Sequence, residues 1–240
     1  MTTTSLARQA VDPSPSLHYY VIHDHVGELD GLLAEEFLLA VDHSSAGLVS
    51  AFWSRRDGGW RDGADTSRRL RLDAALRAHV VAVGRAAAAE VYRNACGADL
   101  PGEAALRACF GDLPAAQPPP LRLSGPAATP GFRETRVYRI LFVNELTRDG
   151  LDALSRVWRM PVTGDLADPG ARVVGVVHRH VSGDTFRWDL RRVAAGAAWG
   201  LDVTCDLGGE RDEAVGVLLH GLTAQMRQQG LIPVTVDRFR

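Results

Sequence analysis

Residues 172–193 read RVVGVVHRHVSGDTFRWDLRRV, two runs of strand-forming residues on either side of a Ser-Gly-Asp turn. With Gly183 and Asp184 as a two-residue loop, the register pairs His178 with Asp189. Side chains alternate between the two faces of a strand, so one face of this hairpin is largely apolar and the other is polar. The stretch therefore predicts a β-hairpin that packs its apolar face beneath helices.

The sequence on both sides of the hairpin is predicted to form further strands and helices. The predicted elements are a strand at 136–143, a helix that Thr147 caps and that ends before Pro161, the hairpin, a strand at 198–207, a helix at 210–229 and a strand at 231–239. The order β-α-β-β-β-α-β is that of a ferredoxin-like split β-α-β plan with one added strand. We therefore predict that residues 132–240 form an α+β unit, with two helices on one face of an antiparallel sheet.

The first half of the chain has a less regular pattern. A strand is predicted at 17–26, a helix at 27–41 whose end could also be a strand, a strand at 47–53, and two or three helices within 68–111. The helix at 27–41 rests on apolar residues that recur at helical spacing between Leu29 and Phe37. Residues 16–113 are therefore predicted to be a mixed, helix-rich α/β half.

Two segments differ in composition from both halves. Residues 114–131 are rich in proline, alanine and glycine, which disfavour a helix and suit an extended connector. Residues 1–15 are rich in threonine, serine and proline. We interpret the first segment as a linker between the halves and the second as a disordered lead-in.

Composition excludes several classes of function. All 27 basic residues are arginine, and 29 acidic residues leave a net charge of −2. The missing lysine indicates a high-GC bacterial genome and excludes phosphate-loop, Schiff-base and general-base lysines. The charge balance gives no basis for nucleic-acid binding, and no apolar run approaches the roughly 20 residues of a membrane span. Because we find no signal peptide and no CxxC pair, we predict a cytoplasmic protein.

The polar face of the hairpin and of the strand beside it carries the candidate site. Its residues are His178, His180, Thr185, Arg187, Asp189, Arg191, Asp202, Thr204 and Asp206. We predict that Asp189 orients His178 as an acid–base catalyst. Arg187, Arg191 and His180 are predicted to bind an anionic substrate. The simpler alternative is a solvated face with cross-strand charge pairs, each worth about 0.2 to 1 kcal/mol.

Paired histidines raise the alternative of a metal site. His23 and His25 have the spacing that points two side chains the same way on a strand, and so do His178 and His180. The spacing is a weak signal, because nothing in the sequence brings the two pairs together and one pair lacks a third ligand. We predict no metal, and the sequence specifies no cofactor.

Two functions fit these residues. The first is a bacterial enzyme or accessory enzyme that acts on a small polar or anionic metabolite by His/Asp acid–base chemistry. The alternative is a non-catalytic binding or regulatory module that engages a protein partner or a small ligand through its sheet. A closed pocket with converging polar groups favours the enzyme, whereas a flat, open face favours the module. The sequence leaves the oligomeric state open.

Overall fold

The computed structural model describes residues 17–112, 128–164, 168, 172–194 and 198–239. The lead-in predicted at 1–15 lies outside these residues, as does most of the linker predicted at 114–131. The described chain is a mixed α and β protein with two five-stranded antiparallel sheets, one from each half. None of its described helices combines the length and the apolar character that crossing a bilayer requires.

The first sheet forms the middle layer of the N-terminal half. This half contains β1 (His18–His23), β2 (Leu29–Leu39), β3 (Ser45–Ser54), β4 (Trp60–Asp62), α1 (Ala64–Leu72), α2 (Ala74–Arg77), β5 (Val80–Val83), α3 (Arg85–Cys96) and α4 (Glu103–Arg107). The strand order is β4-β3-β2-β1-β5, with antiparallel neighbours. One face packs against α3 and α4, and the other packs against Leu70 of α1 and Ile232 of the C-terminal half.

The prediction of a helix at 27–41 is wrong, because this stretch forms β2, the middle strand of the first sheet. Leu32 and Ala34 belong to the core on one face of the sheet, and Leu33 belongs to the core on the other. A strand buried on both faces carries a nearly continuous apolar run. Such a run also satisfies helical spacing, so periodicity alone does not separate the two structures.

The helices predicted within 68–111 are present, but a strand lies between them. β5 pairs with β1 at the edge of the first sheet. Three of its four residues are valine, whose branched Cβ favours strands. Gly97 ends α3 with a φ of 75°, the left-handed conformation that favours glycine after a helix.

The C-terminal half has the predicted order of elements. It contains β6 (Glu134–Val143), α5 (Arg148–Trp158), β7 (Val173–Val181), β8 (Asp184–Ala194), β9 (Ala198–Leu207), α6 (Glu213–Gln228) and β10 (Ile232–Arg238). The hydroxyl of Thr147 caps α5 by accepting a hydrogen bond from the Gly150 N–H at 3.1 Å. Leu151 of α5 and Leu222 of α6 lie in one core with the buried side chains of the sheet.

The ferredoxin-like plan is not confirmed for this half. Its strand order is β10-β6-β9-β8-β7, and each neighbouring pair is antiparallel. β9 and β10 are therefore parallel strands on either side of β6, and α6 connects them as a split β-α-β unit. β6 and β7 are antiparallel to each other, so α5 does not complete a second unit of this kind.

The predicted hairpin forms, with a register that differs from the predicted one. Its two-residue loop is Ser182-Gly183, and both residues have a positive φ (51° and 91°), as a tight hairpin turn requires. His178 therefore pairs with Arg187, and the predicted pairing of His178 with Asp189 is wrong. The shift is two residues, which preserves the alternation of faces. The predicted apolar face is accordingly the one that contributes to the core.

The two halves contact each other along β10. The Arg71 side chain donates to the carbonyl of Pro233 at 3.0 Å, and the Val236 N–H donates to Ser45 Oγ at 2.7 Å. Ile232 adds an apolar contact by packing into the core of the first sheet. These contacts fix the position of α6 relative to β1 and β2, the elements on which the candidate site lies.

Candidate functional site

A cleft opens between the first sheet, α6 and β10. The cleft has a volume of about 520 Å³, and this volume includes space that is open to bulk solvent. Its polar lining residues are His18, Glu35, Glu36, His43, His220 and Thr223. Its apolar lining residues are Phe37, Leu39, Leu219, Pro233 and Val236. Most of the exposed lining surface is apolar, and junctions of this kind are frequent positions for small-molecule sites.

Strand register and helical spacing bring the polar side chains together. His18 of β1 pairs directly with Glu35 of β2, and the period of a strand places Phe37 on the same face. Thr223 follows His220 by three positions on α6, so the two side chains share one side of the helix. The rings of His18 and His220 are stacked, with centroids 6.4 Å apart and planes 29° apart.

Glu35 is fully buried, and its charge is matched by Arg71. The Arg71 guanidinium donates to both carboxylate oxygens at 2.9 Å, and it also donates to the backbone carbonyls of Ser67 and Pro233. Such a bidentate pair with its remaining donors engaged can keep a carboxylate charged inside a protein. Because Pro233 belongs to β10, the pair also joins the two halves at the wall of the cleft.

Two histidines that line the cleft have a buried ring nitrogen without a hydrogen-bond partner among the described residues, His18 at Nδ1 and His43 at Nε2. The His43 nitrogen lies 3.7 Å from a carboxylate oxygen of Asp212. His18 is the more deeply buried of the two.

Burial, and then the neighbouring charges of Arg227, His220 and Arg71, lower the pKa of His18 well below its ordinary value of 6.5. Partial burial and Arg227 also lower the pKa of His220. Both rings are therefore neutral near pH 7, and each can donate one hydrogen bond and accept one.

Arg227 does not line the cleft, but its positive charge is close enough to lower the pKa of His18. It donates to the hydroxyl of Tyr20 at 3.2 Å and to the carbonyl of Tyr19 at 3.1 Å, and its guanidinium lies 4.8 Å from the centre of the Tyr20 ring. Within the described part of the chain, no carboxylate forms an ion pair with Arg227. Its charge is therefore balanced only by neutral acceptors and by the face of an aromatic ring.

The residues predicted from sequence lie together on the polar face of the second sheet, and this face is open. His178 and His180 are exposed. Asp189 accepts two hydrogen bonds from Arg187 of its own strand, at 3.1 and 3.0 Å, and lies opposite Val176 on the neighbouring strand. The carboxylate that was expected to orient a histidine is thus held by an arginine.

Further along this face, the remaining charges also pair with one another. Asp202 lies opposite Asp189, and it binds Arg139 at 2.6 and 3.0 Å and Arg191 at 2.8 Å. These arginines offset the repulsion between two opposed carboxylates. The arrangement corresponds to the simpler alternative of a solvated face with cross-strand charge pairs. The catalytic and substrate-binding roles predicted for these residues stay predictions.

The two histidine pairs do not come together. His23 belongs to the first sheet, whereas His178 and His180 belong to the second. Among the described residues, no three side chains of His, Cys, Asp or Glu lie close enough to hold one metal ion.

Sequence reasoning missed the cleft, although one local signal was present. Glu35 and Glu36 stand inside the apolar run LLAEEFLL, within the stretch that is predicted to be a helix. In a central strand the same run buries Glu35 and so requires a cationic partner. That partner, Arg71, lies 36 residues further along the chain, and no spacing rule identifies it.

Comparisons of the chain with protein-family models, with curated proteins and with solved structures found no match.

Proposed function

We propose that this protein is a binding module that holds a small molecule in the cleft between its two halves. The observation that carries the proposal is that His18 lines the cleft while its buried Nδ1 has no hydrogen-bond partner among the described residues. Leaving such an atom unsatisfied costs about 1 to 3 kcal/mol. A ligand with a suitable polar atom would recover this free energy on binding.

The apolar part of the lining indicates the rest of the ligand. Phe37, Leu219 and Val236 line the cleft on three different elements, and Leu39 lies near the opening with 42% of its surface exposed. Burying apolar surface there would contribute roughly 25 cal/mol per Å². The proposed ligand therefore has an apolar body and at least one polar end.

The open polar face gives less support to the acid–base enzyme. An enzyme acting through His178 and Asp189 needs the two side chains in contact, and Arg187 holds the Asp189 carboxylate instead. This function is therefore our second proposal. Once a turnover assay exists, full activity in a His178→Ala variant would remove it.

The binding proposal is tested with a neutral fluorescent probe, N-phenyl-1-naphthylamine, whose emission rises in apolar sites. We expect saturable binding to the full chain. Leu39→Asp should weaken it at least about fivefold, because a charge at the opening must be desolvated. Val26→Asp is the matched control, since Val26 is also exposed (70%) and does not line the cleft. Absence of saturable binding, or equal weakening in both variants, would contradict the proposal.

A further inference from the structure

We infer that the ligand of the cleft is an amphipathic anion, with a carboxylate that hydrogen-bonds to His18 beside Arg227 and an apolar chain that lies against Phe37 and Leu219. The inference rests on the proposed function and adds the chemical class of the ligand. It depends on three observations: the glutamates that line the cleft are ion-paired, Arg227 near His18 has no carboxylate partner among the described residues, and Nδ1 of His18 has no hydrogen-bond partner among them.

The two glutamates that line the cleft are paired with arginines, so neither repels an anion as strongly as an isolated carboxylate would. Glu35 is bound by Arg71 through both carboxylate oxygens at 2.9 Å. Glu36 is bound by Arg107 in the same way, at 2.7 and 3.0 Å. A bidentate arginine–carboxylate pair has no net charge, so its field falls off faster with distance than that of a single ion.

The positive charge that is left comes from Arg227. Its donors reach a hydroxyl and a backbone carbonyl, and no described carboxylate pairs with it. Among the charges near His18, Arg227 lowers the pKa of the imidazole the most, ahead of Arg71. An anionic group beside His18 would therefore gain attraction from Arg227 and would accept a hydrogen bond from the imidazole.

A cation or an uncharged head group fits these features less well. A cation would meet the field of Arg227 directly, and a hydroxyl would gain little from that charge. The apolar lining requires a tail rather than a small inorganic ion. A straight-chain carboxylate combines both parts, and it has neutral and cationic analogues of the same chain length.

The experiment uses three such analogues, octanoate, 1-octanol and octylamine, to displace N-phenyl-1-naphthylamine from the full chain at pH 7. We expect octanoate to displace the probe at least about tenfold more effectively than octanol, and octylamine to be the weakest. Equal potency of octanoate and octanol, or no displacement by octanoate while the probe is bound, would overturn the inference and leave the binding proposal intact. If the probe itself does not bind, the binding proposal fails first.

Variants then test the residues. In His18→Phe the preference for octanoate over octanol should fall at least about fivefold, because the ring is kept and its nitrogens are lost. His220→Phe replaces an exposed ring at the same site, and a smaller fall is expected there, so the test remains if His18→Phe does not fold. His79→Phe, on an exposed histidine that does not line the cleft, is the control. An unchanged preference in both cleft variants would overturn the assignment.

Discussion

The polar face of the second sheet and the cleft between the halves both gather histidines, arginines and carboxylates, but their polar groups are satisfied differently. On the face, Arg187, half of whose side chain is exposed, binds the partly buried Asp189 (18% exposed) beside solvent. In the cleft, Glu35 is bound to Arg71 out of contact with water, while Nδ1 of His18 has no described partner. A buried polar atom without a partner therefore indicates a binding site better than a large number of polar side chains does.

The largest expected effect is on stability, from breaking the buried pair. Glu35→Ala leaves Arg71 with 10% of its side chain exposed and no carboxylate partner, which should lower the free energy of unfolding by about 3 to 5 kcal/mol. Arg187→Ala removes an exposed pair and should cost only about 0 to 1 kcal/mol. Urea unfolding of both variants measures the difference.

The double variant Glu35→Leu with Arg71→Met checks the cause. Replacing both charges by apolar side chains of similar size should recover most of the loss, because no buried charge is left unpaired. Similar costs for Glu35→Ala and Arg187→Ala would contradict the distinction between the two regions.

A second effect is a loss of stability between pH 7 and pH 5. In the unfolded chain His18 takes up its proton near its ordinary pKa of 6.5, whereas in the folded protein its pKa is well below this value. The unfolded state therefore binds more protons in this interval. Stability is fully present above pH 6.5 and falls below it, by at most about 1.4 kcal/mol per pH unit for one group. His220 acts in the same direction.

Glu134 and Asp212 do not explain a loss in this window. Arg136 holds the pKa of both Glu134 and Asp212 below their ordinary values, so their contributions are lost only in more acidic solution. Urea unfolding at pH 7, 6 and 5 should give a smaller slope for His18→Phe than for the original chain. His178→Phe, which changes an exposed ring, should keep the original slope. The same slope in all three proteins would contradict the account of His18.

A smaller effect is expected on the polar face. Asp202→Asn weakens the contacts with Arg139 and Arg191, and it also removes the repulsion with Asp189. The net cost should be about 1 kcal/mol or less, and it should shrink further in high salt. Thermal unfolding at low and high salt measures this, and a salt-independent loss of several kcal/mol would show that the face is not a solvated charge network.

The smallest effect is expected for His178→Ala. The side chain is exposed, and surface substitutions of this kind usually change stability by less than about 0.5 kcal/mol. Binding of N-phenyl-1-naphthylamine should also be unchanged. A loss of probe binding in this variant would move the ligand site from the cleft to the polar face.

Local patterns predicted the order of strands and helices in the C-terminal half, though not its ferredoxin-like arrangement, because turns, caps and strand alternation depend on neighbouring residues. The hairpin shows the limit of such patterns. Placing the loop at Gly183-Asp184 instead of Ser182-Gly183 moved each pairing by two residues. The faces stayed correct because the period of a strand is two, but the pairing of His178 with Asp189 did not survive.

The cleft could not be predicted in the same way. His18 and Glu35 meet through the pairing of β1 with β2, and His220 joins them only when α6 docks against the first sheet. No local spacing encodes that docking. The one local signal, two glutamates in an apolar run, was hidden because β2 is buried on both faces and satisfies helical spacing.

The most direct test of a ligand site in the cleft is an NMR titration that follows the ring signals of the eight histidines as N-phenyl-1-naphthylamine is added. Single His→Phe variants assign the signals. We expect the aromatic probe to shift the signals of His18, His43 and His220, which line the cleft, and to leave those of His178 and His180 unchanged. Shifts at His178 and His180 with no change at His18 would place the ligand on the polar face and contradict the proposed site in the cleft.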